Sequence, residues 1–275
     1  MSLVDVDQVT DLVQDVAERL IVPRFQALAH GDVREKARGE LVTVADIEAE
    51  LEIAQVLEQV TPGVPVLGEE AAAADPGLAA RVQAAPRYWL LDPLDGTANF
   101  VAGNADLGTM LALVEDGVAV AAWIWQPIHR ALFVAEAGSG AFHDGMRIRQ
   151  PPARAWNPSR AAGYARTTFF TPATADRIHA AGEHLGSVSP GPRAACITYP
   201  HLATGVADFA MFGRTHPWDH APGALVVTEA GGAARRFDGT TYAPGQRGRG
   251  LLITSDANHW DPLGLVLGVA DLALD

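Results

Sequence analysis

The six residues Asp92-Pro93-Leu94-Asp95-Gly96-Thr97 place two carboxylates, a hydroxyl and a glycine within one short turn of chain. Pro93 fixes its own φ and removes an N–H, so the chain can turn sharply between the two acids. Both side chains, together with the Leu94 carbonyl, can then point into one space. Gly96 permits close backbone approach, and a helix beginning there offers free N–H groups that, with the Thr97 hydroxyl, suit a phosphate. Other acids stand at distant positions: Asp46, Glu69 and Asp219. Glu69 follows the apolar run Val64-Pro65-Val66-Leu67, and Asp92 follows Tyr88-Trp89-Leu90-Leu91; both runs read as buried strands. The ends of such strands are where open α/β sheets set their ligand sites. Carboxylates gathered there repel one another and take up protons unless a cation joins them. Oxygen-only ligands select Mg²⁺, Mn²⁺ or Ca²⁺. Each acid also has a plainer reading. Asp46 lies three residues after Thr43 and suits a capping box, Asp219 suits a helix cap, Asp92 and Asp95 suit turns, and Glu69-Glu70 suit a solvated loop. Taken together, those readings require several unrelated coincidences where one cation site requires none.

The elements that must position these residues show in the hydrophobic pattern. Val6, Val9, Val13, Val16 and Leu20 make one stripe, which predicts a helix from Asp5 to about Ala29, with Pro23 kinking or splitting it. A second helix starts after Thr43 and turns Ile47, Leu51, Ala54 and Leu57 toward a core, until Thr61-Pro62-Gly63 stops it. Ala71 to Ala85 reads as a loop and helix. Met110–Val114 and Val118–Trp125 flank Glu115-Asp116-Gly117, a strong hairpin signal, and Ala131–Ala135 and Phe142–Ile148 continue as strands. Prolines between Gln150 and Arg160 mark a boundary, which divides the chain into an N-terminal α+β domain, 1–150, and a C-terminal α/β domain, 151–275. Helices are predicted at Pro172–Leu185 and Asp219–Ala230. This mixture implies α/β layers rather than a bundle or a sandwich of sheets alone.

Composition narrows the function classes. The chain has 275 residues, 48% hydrophobic and 19% charged, which excludes wholesale disorder. Lys and Arg number 20 against 33 Asp and Glu, a net charge of −13, so neither nucleic acid nor an anionic membrane is expected as a partner. The longest apolar run, Val118–Trp125, falls short of the roughly 18 residues of a membrane span. No basic stretch followed by an apolar one opens the chain, which makes a cytoplasmic protein the default. Cys196 stands alone, excluding a disulfide within the chain and any zinc site of several thiolates; it reads as a small core residue. Two other phosphate chemistries fail on sequence. A haloacid-dehalogenase-type phosphatase needs a nucleophilic Asp at position 93, which is Pro93, and no Gly-x4-Gly-Lys-[Ser/Thr] loop is present.

In order along the chain, Leu41-Val42-Thr43 with Asp46, Gly68-Glu69-Glu70, the run from Trp89 to Phe100, and Trp218-Asp219-His220-Ala221-Pro222-Gly223-Ala224 leading to Thr228-Glu229-Ala230-Gly231-Gly232 resemble the inositol monophosphatase family of metal-dependent, lithium-sensitive phosphatases. The resemblance implies a layered αβαβα sandwich of the sugar-phosphatase (fructose bisphosphatase-like) type. It implies hydrolysis of a small phosphate monoester, such as an inositol monophosphate-like sugar or polyol phosphate, without a covalent intermediate. By the same resemblance, Glu69, Asp92 and the Leu94 carbonyl hold one Mg²⁺; Asp92, Asp95 and Asp219 hold a second; and Glu69 reaches a weaker third through water. Asp46 and Thr97 position the attacking water, Glu69 helps to activate it, and Gly96 and Thr97 bind phosphate oxygens through their N–H groups. Mn²⁺ is a possible substitute, Li⁺ and Ca²⁺ are implied inhibitors, and a homodimer is implied.

The substrate side departs from the inositol-specific pattern. The place of an acid that contacts a sugar hydroxyl falls on Met211, a weak acceptor. Histidinol phosphate, fructose bisphosphate and 3′-phosphonucleotides therefore stay open as substrates, as does a regulatory binding protein on the same scaffold. Arg193, Arg214 and His220 are the candidate substrate contacts, with surface, helix-end or packing roles as their other reading.

Overall fold

Val9, Val13 and Val16 are fully buried, and the helix they build, α1 (Val6–Val16), starts at Asp5, whose carboxylate accepts from the N–H groups of Asp7 and Gln8. The computed structural model describes residues 4–37, 39–149, 155–246 and 250–272. The helix runs on through a π turn (Ala17–Ile21) and a single 3₁₀ turn (Val22–Arg24) that holds Pro23, and ends there, short of the predicted Ala29. Pro23 has no N–H to continue the ladder. A hairpin of β1 (Val33–Ala37) and β2 (Glu40–Thr43) then leads into α2 (Val44–Val60).

The α2 helix begins at Thr43 as predicted, but its buried face differs. Ile47 and Leu51 are 38% and 59% exposed, while Ala45, Ala49, Ile53 and Leu57 are fully buried. Those four recur every fourth residue and form a stripe of their own, narrow at the start because alanines let the helix approach the sheet closely. Asp46 and Glu50, also buried, lie along the edge of that stripe.

Seven strands form the first sheet: β3 (Val66–Gly68), β4 (Arg87–Asp95), β5 (Gly108–Glu115), β6 (Val118–Gln126), β7 (Ala131–Glu136), β8 (Gly140–His143) and β9 (Met146–Arg147), in sequence order across the sheet. Only β3 and β4 pair in parallel. The predicted β5–β6 hairpin turns on Asp116 and Gly117, both at positive φ (46° and 79°), as a two-residue turn of the primed type requires. The Ala71–Ala85 stretch holds two short helices, α3 (Glu69–Ala74) and α4 (Leu78–Val82), and α5 (Thr97–Val101) follows β4.

The second sheet has the order β11-β10-β12-β14-β13, built from β10 (Ala162–Ala165), β11 (Ser187–Ser189), β12 (Phe209–Phe212), β13 (Ala233–Arg236) and β14 (Leu251–Thr254). Its helices are α6 (Pro172–Gly182), α7 (Ala195–Ala203), α8 (Pro217–Glu229) and α9 (Trp260–Leu267). Residues 150–154 of the predicted boundary segment lie outside the described residues.

Three apolar clusters set the layers. Trp89, Leu91, Leu111, Leu113, Trp123 and Trp125 bury one face of the first sheet against α1 and α2. Met110, Ala122, Ile124 and Phe133 bury the other face against α7 and α8, whose far side meets Ala210, Ala234, Leu251 and Ile253 of the second sheet. Phe209, Met211 and Leu252 close the last face against Ile178 of α6 and Trp260, Leu263 and Leu267 of α9. The order is αβαβα, as the family resemblance implies. No helix among the described residues is long and apolar enough to cross a membrane.

Candidate active site

Strand alternation brings the first acids together. Tyr88 and Leu90 point to the side of β4 that packs on Trp218 and Ala221 of α8. Asp92 is next on that side, and Asp219 lies between the two α8 contacts in sequence. Parallel pairing sets Gly68 beside Leu91, so Glu69, the first residue of α3, emerges next to Asp92. One carboxylate oxygen from each of Glu69, Asp92 and Asp219 lies within 4.8 Å of the others. Three separate elements thus supply one cluster.

Asp95 is held from the other half of the chain: its carboxylate accepts from the Cys196 N–H, in the first turn of α7, at 2.6 Å. Cys196 is buried, as its composition reading predicts. Gly96 sits at φ 86°, and a side chain there would approach the Asp106 carbonyl to 2.8 Å and Ala194 Cβ to 3.2 Å. Only glycine meets both demands.

For Asp46 the two readings are both realised. One carboxylate oxygen accepts from the Thr43 N–H at 2.8 Å and from its hydroxyl at 2.5 Å, which completes the capping box. The other oxygen accepts from the Thr97 hydroxyl at 2.9 Å. The Thr97 hydroxyl also lies 3.0 Å from the Leu94 carbonyl oxygen.

Charge is concentrated here against its own interest. Burial raises Asp92 and Asp219 well above the ordinary carboxylate range, and repulsion from Glu69 and Asp95 adds to the shift in both. Asp95 is raised to about 6 by burial, against the hydrogen bonds from Cys196. Asp46 reaches about 6 by burial, opposed by Thr43 and Thr97. Lys36 of β1 supplies one cation, with Nζ 2.6 Å from both Glu69 Oε1 and Glu70 Oε1. Among the described residues neither Asp92 nor Asp219 forms an ion pair with a basic side chain, though the charges of Arg214 and Lys36 act against the rise at Asp219. An oxygen-only set of this kind fits a hard divalent cation such as Mg²⁺.

Glu50 is a participant that the sequence did not announce. It is buried, and its two oxygens accept the N–H groups of Glu70 and Ala71 at 2.8 Å each. This fastens the first turn of α3, which carries Glu69. The one hint in the sequence is Gly68, where any side chain would strike the Glu50 carboxylate. Nothing in the sequence marks Lys36 or Arg166.

Arg193, Arg214 and His220 line the cleft that also exposes Asp95 and Asp219, together with Arg166, Phe169 and Met211. His220 has both ring nitrogens engaged within the protein, Nδ1 with the Tyr199 hydroxyl at 2.7 Å and Nε2 with the Arg214 carbonyl at 3.1 Å. Burial pulls its pKa down to about 3. The ring is therefore neutral, Nε2–H donates to the Arg214 carbonyl, and the Tyr199 O–H donates to Nδ1.

Comparison with known proteins adds an independent line. A model of the inositol monophosphatase family matches residues 4–264. The chain is 30% identical over 200 residues to the fructose-1,6-bisphosphatase/inositol-1-monophosphatase of Thermotoga maritima, covering 73% of each protein. It is 29% identical over 242 residues to the 3′(2′),5′-bisphosphate nucleotidase CysQ of Escherichia coli K12, covering 85% of this chain and 91% of that one. Among solved structures, an IMPase of Thermotoga maritima superposes with a TM-score of 0.79 at 25% identity, over 96% of this chain and 97% of the other.

Proposed function

Because the chain belongs to the inositol monophosphatase family, whose members are phosphatases, we propose that its reaction is the Mg²⁺-dependent hydrolysis of a small phosphate monoester by an oriented water. The observation that carries this reading is the convergence of Glu69, Asp92 and Asp219 within 4.8 Å, beside Asp95 and the Thr97–Asp46 pair. Glu69, Asp92 and Asp219, with Asp95 and the Leu94 carbonyl, would hold two or three divalent ions. When bound, these supply positive charge against the phosphoryl and leaving oxygens.

The chain's own residues do the rest. The Thr97 hydroxyl, donating to Asp46, keeps its lone pairs free to accept a hydrogen bond from the attacking water. The buried Asp46 carboxylate, raised to about 6, is a base matched to neutral pH. The N–H groups of Gly96 and Thr97 are the donors this reading assigns to the phosphoryl oxygens. Glu50 and the Cys196 N–H fix the directions of α3 and Asp95 before substrate arrives, so no reorganisation is needed during reaction. Inhibition by lithium, a homodimeric state and a cytoplasmic location belong to the same reading.

Relatives of comparable similarity are named for different substrates, a hexose bisphosphate or inositol phosphate in one case and a nucleoside bisphosphate in the other. The shared motif therefore supports the chemistry and leaves the alcohol open. Phosphate release is measured from inositol 1-phosphate, histidinol phosphate, fructose 1,6-bisphosphate and 3′-phosphoadenosine 5′-phosphate, with and without Mg²⁺. Release that requires Mg²⁺ is the expected result. Silence across the panel with the metal bound refutes the reading.

A further inference from the structure

Strand β12 ends at Phe212 and α8 begins at Pro217, so the link between them is Gly213-Arg214-Thr215-His216. Little within the link fixes its path. His216 takes the N-cap of α8 but makes no side-chain capping bond, and Pro217 brings no N–H. Among the described residues, no main-chain hydrogen bond outside the helices and strands involves residues 213–216. The Arg214 side chain pairs with Glu40 and lies over the half-exposed Phe169 ring. Both contacts are at the surface, where an ion pair holds a chain weakly.

The contact that holds this backbone is buried. His220 Nε2 lies 3.1 Å from the Arg214 carbonyl oxygen, and Nδ1 lies 2.7 Å from the Tyr199 hydroxyl. The imidazole borders the cleft yet is 2% exposed. It stands edge-on to the Tyr199 and Phe212 rings, at 68° and 70°, and those two rings are stacked on each other. A flipped imidazole would turn C–H groups toward both polar partners, so one orientation is selected. Three elements, α7, α8 and the end of β12, thus meet at a single side chain. With both nitrogens engaged, the ring has no polar atom left to offer a substrate.

We propose that His220 is a positioning residue: it pins the Arg214 carbonyl and so aims the Arg214 side chain into the cleft that Asp219 also lines. Its kinetic consequence rests on the phosphatase reading of the acidic cluster. The cost of losing it falls on binding, because a loose Arg214 must be ordered each time a substrate arrives. Asp219 rides on α8 itself and keeps its place.

Nuclear magnetic resonance of the parent protein tests the premise without any variant. Long-range ¹⁵N–¹H spectra at neutral pH are expected to show His220 as the Nε2–H tautomer. The Nδ1–H tautomer overturns the proposal, since Nε2 then has no proton for the carbonyl. His220→Phe keeps a ring and removes both hydrogen bonds. Backbone order parameters at Arg214, Thr215 and His216 are expected to fall from about 0.85 to about 0.6 or lower, while those of α8 hold. His220→Gln, whose amide N–H can reach the same carbonyl, is expected to restore them in part. With inositol 1-phosphate and fructose 1,6-bisphosphate as probes, His220→Phe is expected to raise KM about threefold to tenfold and to change kcat by less than about twofold. In an Arg214→Ala background the same substitution is expected to add less than about twofold to KM. Order parameters that stay unchanged, or KM effects that simply multiply, overturn the proposal. If the parent releases phosphate from no compound while the order parameters respond as stated, the positioning role stands and the phosphatase reading falls.

Discussion

Asp92 is 2% exposed, and Glu69, Asp95 and Asp219 all press like charge against it. Without a cation, that carboxylate works against folding; a divalent ion at the proposed site would offset the repulsion. Asp92→Asn is therefore expected to move stability and activity in opposite directions. In EDTA at neutral pH the variant unfolds at higher urea than the parent, because a buried repulsive charge is gone. With Mg²⁺ its turnover falls by at least about a hundredfold. Near-normal turnover in a folded Asp92→Asn protein refutes the carboxylate assignment. Glu50 makes a separate case, because it acts on the site through the backbone. Burial raises its pKa to about 7 from an ordinary 4.5, so the folded state holds its proton more tightly than the unfolded state does. Its stabilising share is full below pH 4.5 and is lost as pH rises through about 7. Glu50→Gln cannot titrate, so the stability of the parent relative to the variant is expected to fall across that window and level off above it. Urea midpoints measured over this pH range in EDTA check the slope, and a difference that rises with pH contradicts it. Glu69, Asp92 and Asp95 stand out in the sequence because they punctuate apolar runs at strand ends, whereas Asp46 and Asp219 stand on helices and are singled out by the family resemblance. Glu50, Lys36 and Arg166 do not, because none belongs to a motif or ends an apolar run and each gains its meaning only from what the fold brings opposite.

At the scale of elements, the middle helical layer carries the most consequence. Gly223 of α8 faces the Tyr199 ring of α7, and a side chain at 223 would overlap that ring. The two helices touch because this glycine is there. Asp219 rides on α8, and Asp95 is tied to the first turn of α7, so their spacing governs two acids at once. Gly223→Ala is expected to lower stability by about 1–3 kcal/mol through overpacking. It is also expected to reduce kcat beyond what the unfolded fraction explains, because a displacement of about 1 Å at reacting groups costs about a hundredfold in rate. Activity per folded molecule, from kinetics paired with urea titration, tests this; unchanged activity per folded molecule refutes it. The same layer shows why part of the fold escaped sequence reading. The α1 stripe and the β5–β6 hairpin were legible because each has one dry face, or one turn that only Asp-Gly satisfies easily. α7 is apolar nearly all round and includes Pro200, because it packs against a sheet on both sides; no periodicity survives to mark it. In α2 two stripes competed, and the bulkier Ile47 and Leu51 masked the Ala45–Ala49–Ile53–Leu57 row that fits closely against the sheet. Periodicity reports that a face exists; side-chain volume and the neighbour's distance decide which face is used.

Across the whole molecule, the cluster couples parts of the chain that are far apart in sequence. Glu69 and Asp92 come from the first sheet's side, and Asp219 comes from α8, which also buries itself against the second sheet. Neither sheet keeps its inner face dry without α7 and α8. Thermal unfolding is therefore expected as one transition rather than two. A divalent ion that needs all three carboxylates binds only the folded chain and must raise that single midpoint. At an ion concentration about a hundred times its dissociation constant, the gain is about 2.7 kcal/mol. For a chain of this size that is a rise of about 5–10 °C. Scanning calorimetry in EDTA and then in Mg²⁺ measures it, with Asp219→Asn as the control. That variant keeps Glu69 and Asp92 together but removes the ligand from the far side, so its midpoint in EDTA is expected to be no lower than the parent's and its response to Mg²⁺ to be largely lost. Two resolved transitions, with Mg²⁺ moving only the one that belongs to the first sheet, would show that the ion is held without α8. That outcome would break the argument that joins the fold's middle layer to its chemistry.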